Sequence, residues 1–229
     1  MKKIKDKVKY IEDMDQKTLN SLYNANKIDL TKKRKLIQNG CNMKYSKDIG
    51  IFNLPSISTC LCANACKNFC YSFKAERLYS NVRQGRYTNY LQSKKSNFED
   101  LINSEIKNKN FKMIRWHESG DVYSQEYLNK IYSICNKNPN VKFLLYTKTF
   151  NLFNYNNKPR NLSLFASLDY SNLNSKINLD LFKIATVINS ENDNHNGYIC
   201  KPIKSNKNYC GKYCKICWNK KSNINFIKH

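Results

Sequence analysis

Eight of the ten cysteines in this chain of 229 residues fall into two short groups, and this arrangement limits what the chain can fold around. The first cysteine group is Cys60, Cys62, Cys66 and Cys70, and the second cysteine group is Cys200, Cys210, Cys214 and Cys217. Thiolates so close in sequence can reach one metal centre without a large loop-closure cost. The amino-terminal residues lack the apolar stretch of a signal peptide, so we expect a reducing cytoplasm. There, clustered cysteines are metal ligands more often than disulfides.

The spacing Cys-x-Cys-x₃-Cys-x₃-Cys of the first cysteine group fits two kinds of metal centre. Four thiolates would close a structural zinc site, whereas three would hold three irons of a 4Fe-4S cluster and leave the fourth iron open to a small molecule. Thiolates suit both metals, and we favour the iron–sulfur cluster. In the zinc alternative, Cys62 is a bystander and the metal only fastens the loop.

The second cysteine group supplies four thiolates within a short carboxyl-terminal segment, with no acid or imidazole needed. A closed site of this kind is usually structural, and zinc would fill it. A second iron–sulfur cluster is the alternative. In either case we expect a small cap that is folded by its metal.

The net charge of +23 comes from 40 Lys and Arg against 17 Asp and Glu, and such an excess attracts polyanions. Nucleic acid is therefore one expected partner. The alternative is that the lysines form a solvated surface with no partner. No apolar run reaches the length of a membrane span, so we expect no membrane partner.

Short apolar runs separated by longer polar segments predict a parallel sheet of βαβ units. The predicted strands are residues 49–54, 111–116, 141–146, 162–167 and 184–188. We also predict a helical stretch from 73 to 107 that Gly85 interrupts or bends, and a helix capped by Ser124. The chain is too short for a complete eight-stranded barrel, so the predicted fold is α/β, a partial (open) parallel α/β barrel with a small C-terminal Cys-rich cap. The predicted divisions are a polar lead-in (1–47), the partial barrel (48–195) and the cap (196–229).

Polar side chains follow several of the predicted strands, where ligands bind in parallel α/β sheets. The candidates for proton transfer and catalysis are His117, Lys148 and Asp169. The candidates for holding a small cofactor are Glu118, Ser119, Gly120, Asp121 and Tyr146. The alternative for residues 117–121 is an ordinary turn, with glycine for its geometry and aspartate as a helix cap.

Several motifs together resemble the phage proteins called the gene product 88 family. They are Phe52-Asn53-Leu54-Pro55, Thr59-Cys60, Cys66-x₃-Cys70-Tyr71, Lys74-Ala75-Glu76, Arg115, Ser119-Gly120-Asp121, Tyr146-Thr147-Lys148 and the second cysteine group with Trp218. The resemblance covers residues 48–220. It implies a phage or prophage origin and says little about activity.

A more distant likeness is to the radical S-adenosylmethionine enzymes, which place a three-cysteine loop after the first strand of a partial α/β barrel. They hold the amino group of that cofactor at a later strand end, which corresponds here to residues 118–121. The likeness implies S-adenosylmethionine as a cofactor beside a cluster on the first cysteine group. The last cysteine spacing here is one residue longer than in those enzymes, and Ser-Gly-Asp stands where they have Gly-Gly-Glu.

These observations give one leading hypothesis and two alternatives. The leading hypothesis is an iron–sulfur redox or radical enzyme that acts on a nucleic acid or nucleotide-linked substrate in the host cell cytoplasm. The first alternative is a zinc-stapled nucleic-acid-binding module without catalysis. The second is a phage inhibitor or adaptor whose partner is a host protein.

Overall fold

Eight strands form one sheet in the computed structural model, which describes residues 34–40, 45–153, 157–193, 196–200, 209–219 and 221–227. The strands are β1 (Gln38–Asn39), β2 (Ile49–Phe52), β3 (Met113–Trp116), β4 (Lys142–Thr147), β5 (Leu162–Leu168), β6 (Lys183–Ile188), β7 (Tyr198–Cys200) and β8 (Ile224–Ile227). Most of the predicted lead-in (1–47) lies outside the described residues.

The strand order is β1-β2-β3-β4-β5-β6-β8-β7, and every neighbouring pair except β1 with β2 is parallel. From β2 to β6 the order in the sheet follows the order in the chain. The sheet is not closed, because β1 and β7 stand at its two ends. The predicted open α/β fold is therefore confirmed.

Among the described residues, four α-helices connect β2 to β3 and β3 to β4: α1 (Tyr71–Leu78), α2 (Ser80–Ser93), α3 (Phe98–Lys109) and α4 (Gln125–Lys137). Ser124 caps α4 as predicted, since its side chain accepts a hydrogen bond from the Tyr127 amide. The predicted interruption at Gly85 does not occur, because Gly85 lies inside α2. The breaks fall instead at Tyr79 and at residues 94–97. No described helix is long and apolar enough to cross a membrane.

The two faces of the sheet are covered by different parts of the chain. On the helix face, strand residues such as Phe52 and Trp116 pack with residues of α2, α3 and α4 in the larger core. On the opposite face, which we call the cap face, Ile49, Met113 and Leu144 pack against Trp218 from the second cysteine group's segment. Burial on both faces explains why the central strands read as continuous apolar runs.

Each of the five predicted strands is present, with ends shifted by one or two residues. Crossover helices were also expected between β4 and β5 and between β5 and β6. The described parts of those connections contain no α-helix, and a 3₁₀ turn lies at Phe150–Leu152. The carboxyl-terminal segment does more than cover the sheet, because β7 and β8 extend it beyond β6.

Candidate functional site

The first cysteine group lies in the loop that follows β2, at the carboxyl edge of the parallel strands. A 3₁₀ turn at Ala65–Phe69 leads from this loop into α1, which begins directly after Cys70. All four cysteines are free thiols and only partly buried. The loop therefore presents its sulfur atoms at the edge where ligands of such sheets bind.

Two buried contacts fasten the beginning of this loop. The Thr59 hydroxyl donates to the Pro55 carbonyl at 2.7 Å. The Glu76 carboxylate accepts from the Ser56 amide at 2.7 Å and from the guanidinium of Arg86 at 2.8 Å. A buried charge pair with additional hydrogen bonds holds its members in one geometry. Helices α1 and α2 thus fix the loop that carries the thiols.

Three of the thiols act on each other electrostatically. Burial raises the pKa of Cys60 well above its ordinary value, and the charges of Asp121, Cys70 and Cys66 raise it further. Burial also raises the pKa of Cys66, and Cys70 adds to that rise. The charges that act on Cys62 are those of Asp121 and Lys148 instead. Cys60, Cys66 and Cys70 therefore lie within electrostatic range of one another, and the charges that act on Cys62 come from other residues.

The carboxylate of Asp121 lies buried next to these thiols. One of its oxygens accepts from the Val122 amide at 2.7 Å and the other from the Lys148 amide at 2.8 Å. Burial raises the pKa of Asp121 to about 6, although these hydrogen bonds and the Thr147 hydroxyl oppose the rise. An acid with such a pKa can exchange a proton near neutral pH.

Lys148 and Asp169 form an ion pair at the same edge, with 2.8 Å between the ammonium nitrogen and a carboxylate oxygen. Burial opposes ionisation of Asp169, but its hydrogen bonds with Lys148 and Ser171 hold its pKa below the ordinary value. The Ser171 hydroxyl in turn accepts from the Ala65 amide at 3.5 Å. The ends of β4 and β5 therefore meet the cysteine loop.

Residues 118–120 press against the loop, and glycine permits the close approach. Gly120 has φ +82°, and a Cβ there would lie 2.5 Å from Leu54 Cβ and 2.7 Å from Thr59 Oγ1. The Asn53 side chain accepts from the amides of Glu118 and Ser119 at 2.8 and 3.1 Å. The hydroxyl of Ser119 is buried without a hydrogen-bond partner. This turn therefore borders the first cysteine group, as predicted.

His117 does not lie with the other predicted catalytic residues. Its φ of +60° turns the side chain into the core of the helix face, where its Nε2 lies 2.9 Å from the Tyr127 hydroxyl. Burial, and secondarily the charge of Arg115, lower the pKa of His117 to about 3. The imidazole is therefore neutral and packed among Phe52, Trp116 and Tyr127.

Tyr146 also lies away from the first cysteine group, on the cap face beside the second group. Its hydroxyl forms a hydrogen bond with the Cys217 thiol. Burial raises the pKa of Cys217, and the charges of Cys200 and Cys214 add to the rise. Tyr146 thus contacts the cap rather than the turn at 118–121.

The segment of the second cysteine group is compact. Gly211 follows Cys210 at φ +87° and donates its amide to the Cys214 carbonyl at 2.9 Å. The buried Trp218 follows Cys217, and its carbonyl accepts from the Ser163 hydroxyl at 2.9 Å. The thiols of the second cysteine group and the buried ring of Trp218 therefore lie together on the cap face.

Among the residues described, no three His, Cys, Asp or Glu side chains are gathered closely enough to form a ready metal site. Metal ligation by either cysteine group therefore stays a prediction. Two surface cavities, of about 790 and 400 Å³, lie elsewhere on the molecule. The first is lined by residues of α4 and the second by residues around β1.

No role in the site was predicted from the sequence for several side chains that shape it. They are Tyr45, Arg86, Glu76 and Thr149, whose hydroxyl lowers the pKa of Cys62. Thr149 directly follows Lys148, two positions after β4 ends at Thr147, so its place beyond a strand end was a signal that could have been used. Arg86 and Glu76 form their ion pair because α1 packs on α2, and no sequence motif predicts that contact.

The residues that carry this geometry also belong to a family pattern. Residues 23–224 match the family model described as Gene product 88. The chain belongs to this family of phage proteins. The gene product 88 match includes both cysteine groups and the strand ends around Asp121, Lys148 and Asp169. No curated protein and no solved structure matches the chain, and the comparisons lend no support to the likeness to radical S-adenosylmethionine enzymes.

Proposed function

We propose that this gene product 88 protein is an iron–sulfur enzyme of redox or radical type that acts on a nucleic acid or nucleotide-linked substrate in the host cell cytoplasm. One observation carries the proposal. The thiols of the first cysteine group meet Asp121, Lys148 and Asp169 at one edge of the sheet, although these residues come from four separate segments. Ionisable groups brought together in this way are typical of an active site.

Cys60, Cys66 and Cys70 are the proposed ligands of the cluster, because their thiols influence one another. A bound iron–sulfur centre would supply one-electron chemistry at this edge. Cys62 would stay free beside the Thr149 hydroxyl and Lys148. The second cysteine group would hold a structural zinc or an auxiliary cluster that fastens the cap to Tyr146 and Ser163.

The residues around these thiols have separate proposed roles. Asp121, with its pKa near 6, would accept or give up a proton beside the centre. Lys148 would balance part of the thiolate charge, since it already lowers the pKa of Cys62 and Cys66. Residues 118–121 would border a small cofactor such as S-adenosylmethionine, and Gly120 would hold this turn against Leu54 and Thr59 of the cysteine loop.

The substrate class is supported by charge and by exposed aromatic rings. The net charge is +23. Tyr71 follows Cys70 and is 72% exposed, and Tyr170 follows Asp169 and is 73% exposed. Aromatic rings on a basic surface stack with nucleic acid bases, while the cations attract phosphates. Both rings stand next in sequence to residues of the proposed site.

Anaerobic purification followed by iron, zinc and sulfide analysis tests this function. We expect a coloured protein that contains iron and acid-labile sulfide. The Cys60→Ser, Cys66→Ser and Cys70→Ser variants should lose the iron of the first site. Cys62→Ser is the matched control within the same loop and should keep it. A colourless wild-type protein that contains only zinc would overturn the proposal.

The net charge also favours a second candidate, a zinc-stapled nucleic-acid-binding module without catalysis. That function predicts DNA or RNA binding that weakens steeply with added salt. It also predicts that Gly120 and Asp121 variants bind nucleic acid as the wild type does. Metal analysis separates the two candidates, because only the enzyme requires iron.

A further inference from the structure

Arg115 lies on the cap face of β3 with its guanidinium between two tyrosine rings. The guanidinium carbon is 5.7 Å from the ring centroid of Tyr45 and 5.2 Å from that of Tyr146. One terminal nitrogen, Nη1, donates a hydrogen bond to the Tyr45 hydroxyl. Two aromatic faces and one hydroxyl therefore hold the cation in a fixed orientation.

Among the described residues, no carboxylate lies within ion-pair distance of the Arg115 guanidinium, although the charge of Glu118 acts on it. The Nε of Arg115 is buried without a hydrogen-bond partner. A buried donor that lacks an acceptor costs free energy, and such an orphan in a native structure calls for an explanation. An acceptor supplied from outside the chain would remove that cost.

Arg115 also stands between the two cysteine groups. On one side its charge lowers the pKa of the Cys217 thiol in the second group. On the other side it interacts with Glu118 and with Tyr71, which directly follows Cys70. A ligand held by Arg115 would therefore lie on the cap face, within electrostatic range of the proposed reactive edge.

We propose that Arg115 binds an oxyanion, a carboxylate or a phosphate group, of the substrate. The proposal deepens the proposed function, on which it rests for the idea that the anion belongs to a substrate. A guanidinium is planar and always charged, and its remaining donors match the two oxygens of such a group. The chain has 40 basic and 17 acidic side chains, and this positive excess favours the approach of an anion from any direction.

Calorimetric titration with inorganic pyrophosphate and, separately, with succinate tests the proposal on the metal-loaded protein. We expect one probe to bind, and the stronger of the two identifies phosphate or carboxylate as the ligand. Arg115→Met should weaken that binding by about tenfold or more, since a charge-assisted hydrogen bond contributes at least ~1.5 kcal/mol. Arg115→Lys keeps the positive charge but loses the planar pair of guanidinium donors. Its anion affinity should therefore lie between those of the wild type and Arg115→Met. Arg77→Met removes an exposed arginine and should change the affinity less than about twofold.

Three outcomes would overturn the proposal. One is the binding of neither probe, and another is equal binding by wild type and Arg115→Met. The third is an Arg115→Met variant that keeps its anion affinity but loses metal from the second cysteine group, which would make the guanidinium a counter-charge of those thiolates. If this variant does not fold, arginine modification by phenylglyoxal in the wild type decides. Pyrophosphate or succinate should protect Arg115 and leave Arg77 reactive, and equal labelling of Arg115 with and without probe would refute the site.

Metal analysis of the same samples separates this inference from the proposed function. Protein without iron that still binds the anion through Arg115 would end the iron–sulfur proposal and leave the oxyanion site standing. Protein that contains iron but binds no anion would end the oxyanion proposal and leave the iron–sulfur proposal standing.

Discussion

The carboxylate of Glu76 is joined to the guanidinium of Arg86 across a distance of 2.8 Å, with both side chains almost fully buried. The same carboxylate oxygen accepts from the amide of Ser56, which begins the loop of the first cysteine group. One buried ion pair therefore connects two helices to the segment that presents the thiols.

Glu76→Gln should destabilise the fold by about 3–5 kcal/mol, because it leaves the Arg86 charge buried and uncompensated. Glu126→Gln breaks the ion pair that the exposed Glu126 forms with Lys130 in α4 and should cost less than about 0.5 kcal/mol. Urea unfolding of both variants measures the difference. Similar losses in the two variants would show that the buried pair does not fix the loop.

Gly120→Ala and Gly85→Ala should change stability in opposite directions. At position 120, φ is +82° and the added Cβ would lie 2.5 Å from Leu54 Cβ, so we expect a loss of about 2–4 kcal/mol. At position 85 the nearest atoms would be 3.8 Å away inside a helix, so we expect a gain of ~0.5–1 kcal/mol. Thermal unfolding of each variant tests both expectations. A Gly120→Ala variant as stable as the wild type would contradict the close contact between residue 120 and Leu54.

His117 should make the protein lose stability as the pH falls. Burial lowers its pKa from 6.5 to about 3, so below pH 6.5 the unfolded chain binds a proton that the folded chain does not. Stability from this group is therefore fully present above 6.5 and is lost as the pH falls toward 3, by up to about 1.4 kcal/mol per pH unit.

His117→Asn tolerates the positive φ and removes the titrating ring. Its free energy of unfolding, measured between these two pH values, should fall less steeply than that of the wild type. Parallel curves for the two proteins would show that the imidazole is protonated in the folded state.

Lys148→Met should slow the alkylation of Cys62 and Cys66 in reduced, metal-free protein. The ammonium group of Lys148 lowers the pKa of both thiols, so its loss reduces the fraction of reactive thiolate. We expect rates lower by about two- to tenfold. Lys142→Met, an exposed change at the beginning of β4, is the control. Mass spectrometry of the labelled peptides gives both rates, and unchanged rates in Lys148→Met would remove the lysine from the site.

The central strands could be predicted from the sequence because each is a run of apolar residues between polar turns. The shortest strands, β1 and β7, contain two and three residues, which is too few for any periodicity to be visible. β8 lies in the segment that the second cysteine group predicts to be a metal-folded cap. Its pairing with β6 follows from tertiary contacts, and no local pattern encodes it.

The candidate site was predictable to a similar degree. Cys60, Asp121, Lys148 and Asp169 follow strands, and parallel strands bring their carboxyl ends to one edge. The position of His117 could not be read in this way, because a positive φ directs its side chain to the opposite face from the one that alternation suggests. The buried pair of Glu76 and Arg86 depends on how two helices pack, which residue spacing does not reveal.

Strand β8 has a consequence for the order in which the molecule can be assembled. It is inserted between β6 and β7, although the ribosome makes it after both. Until it emerges, β6 and β7 have no common neighbour, and each displays an edge with unpaired amides and carbonyls. Completion of the sheet therefore waits for the final stage of translation. A nascent chain that stalls before residue 224 would be open to association with other chains at those edges.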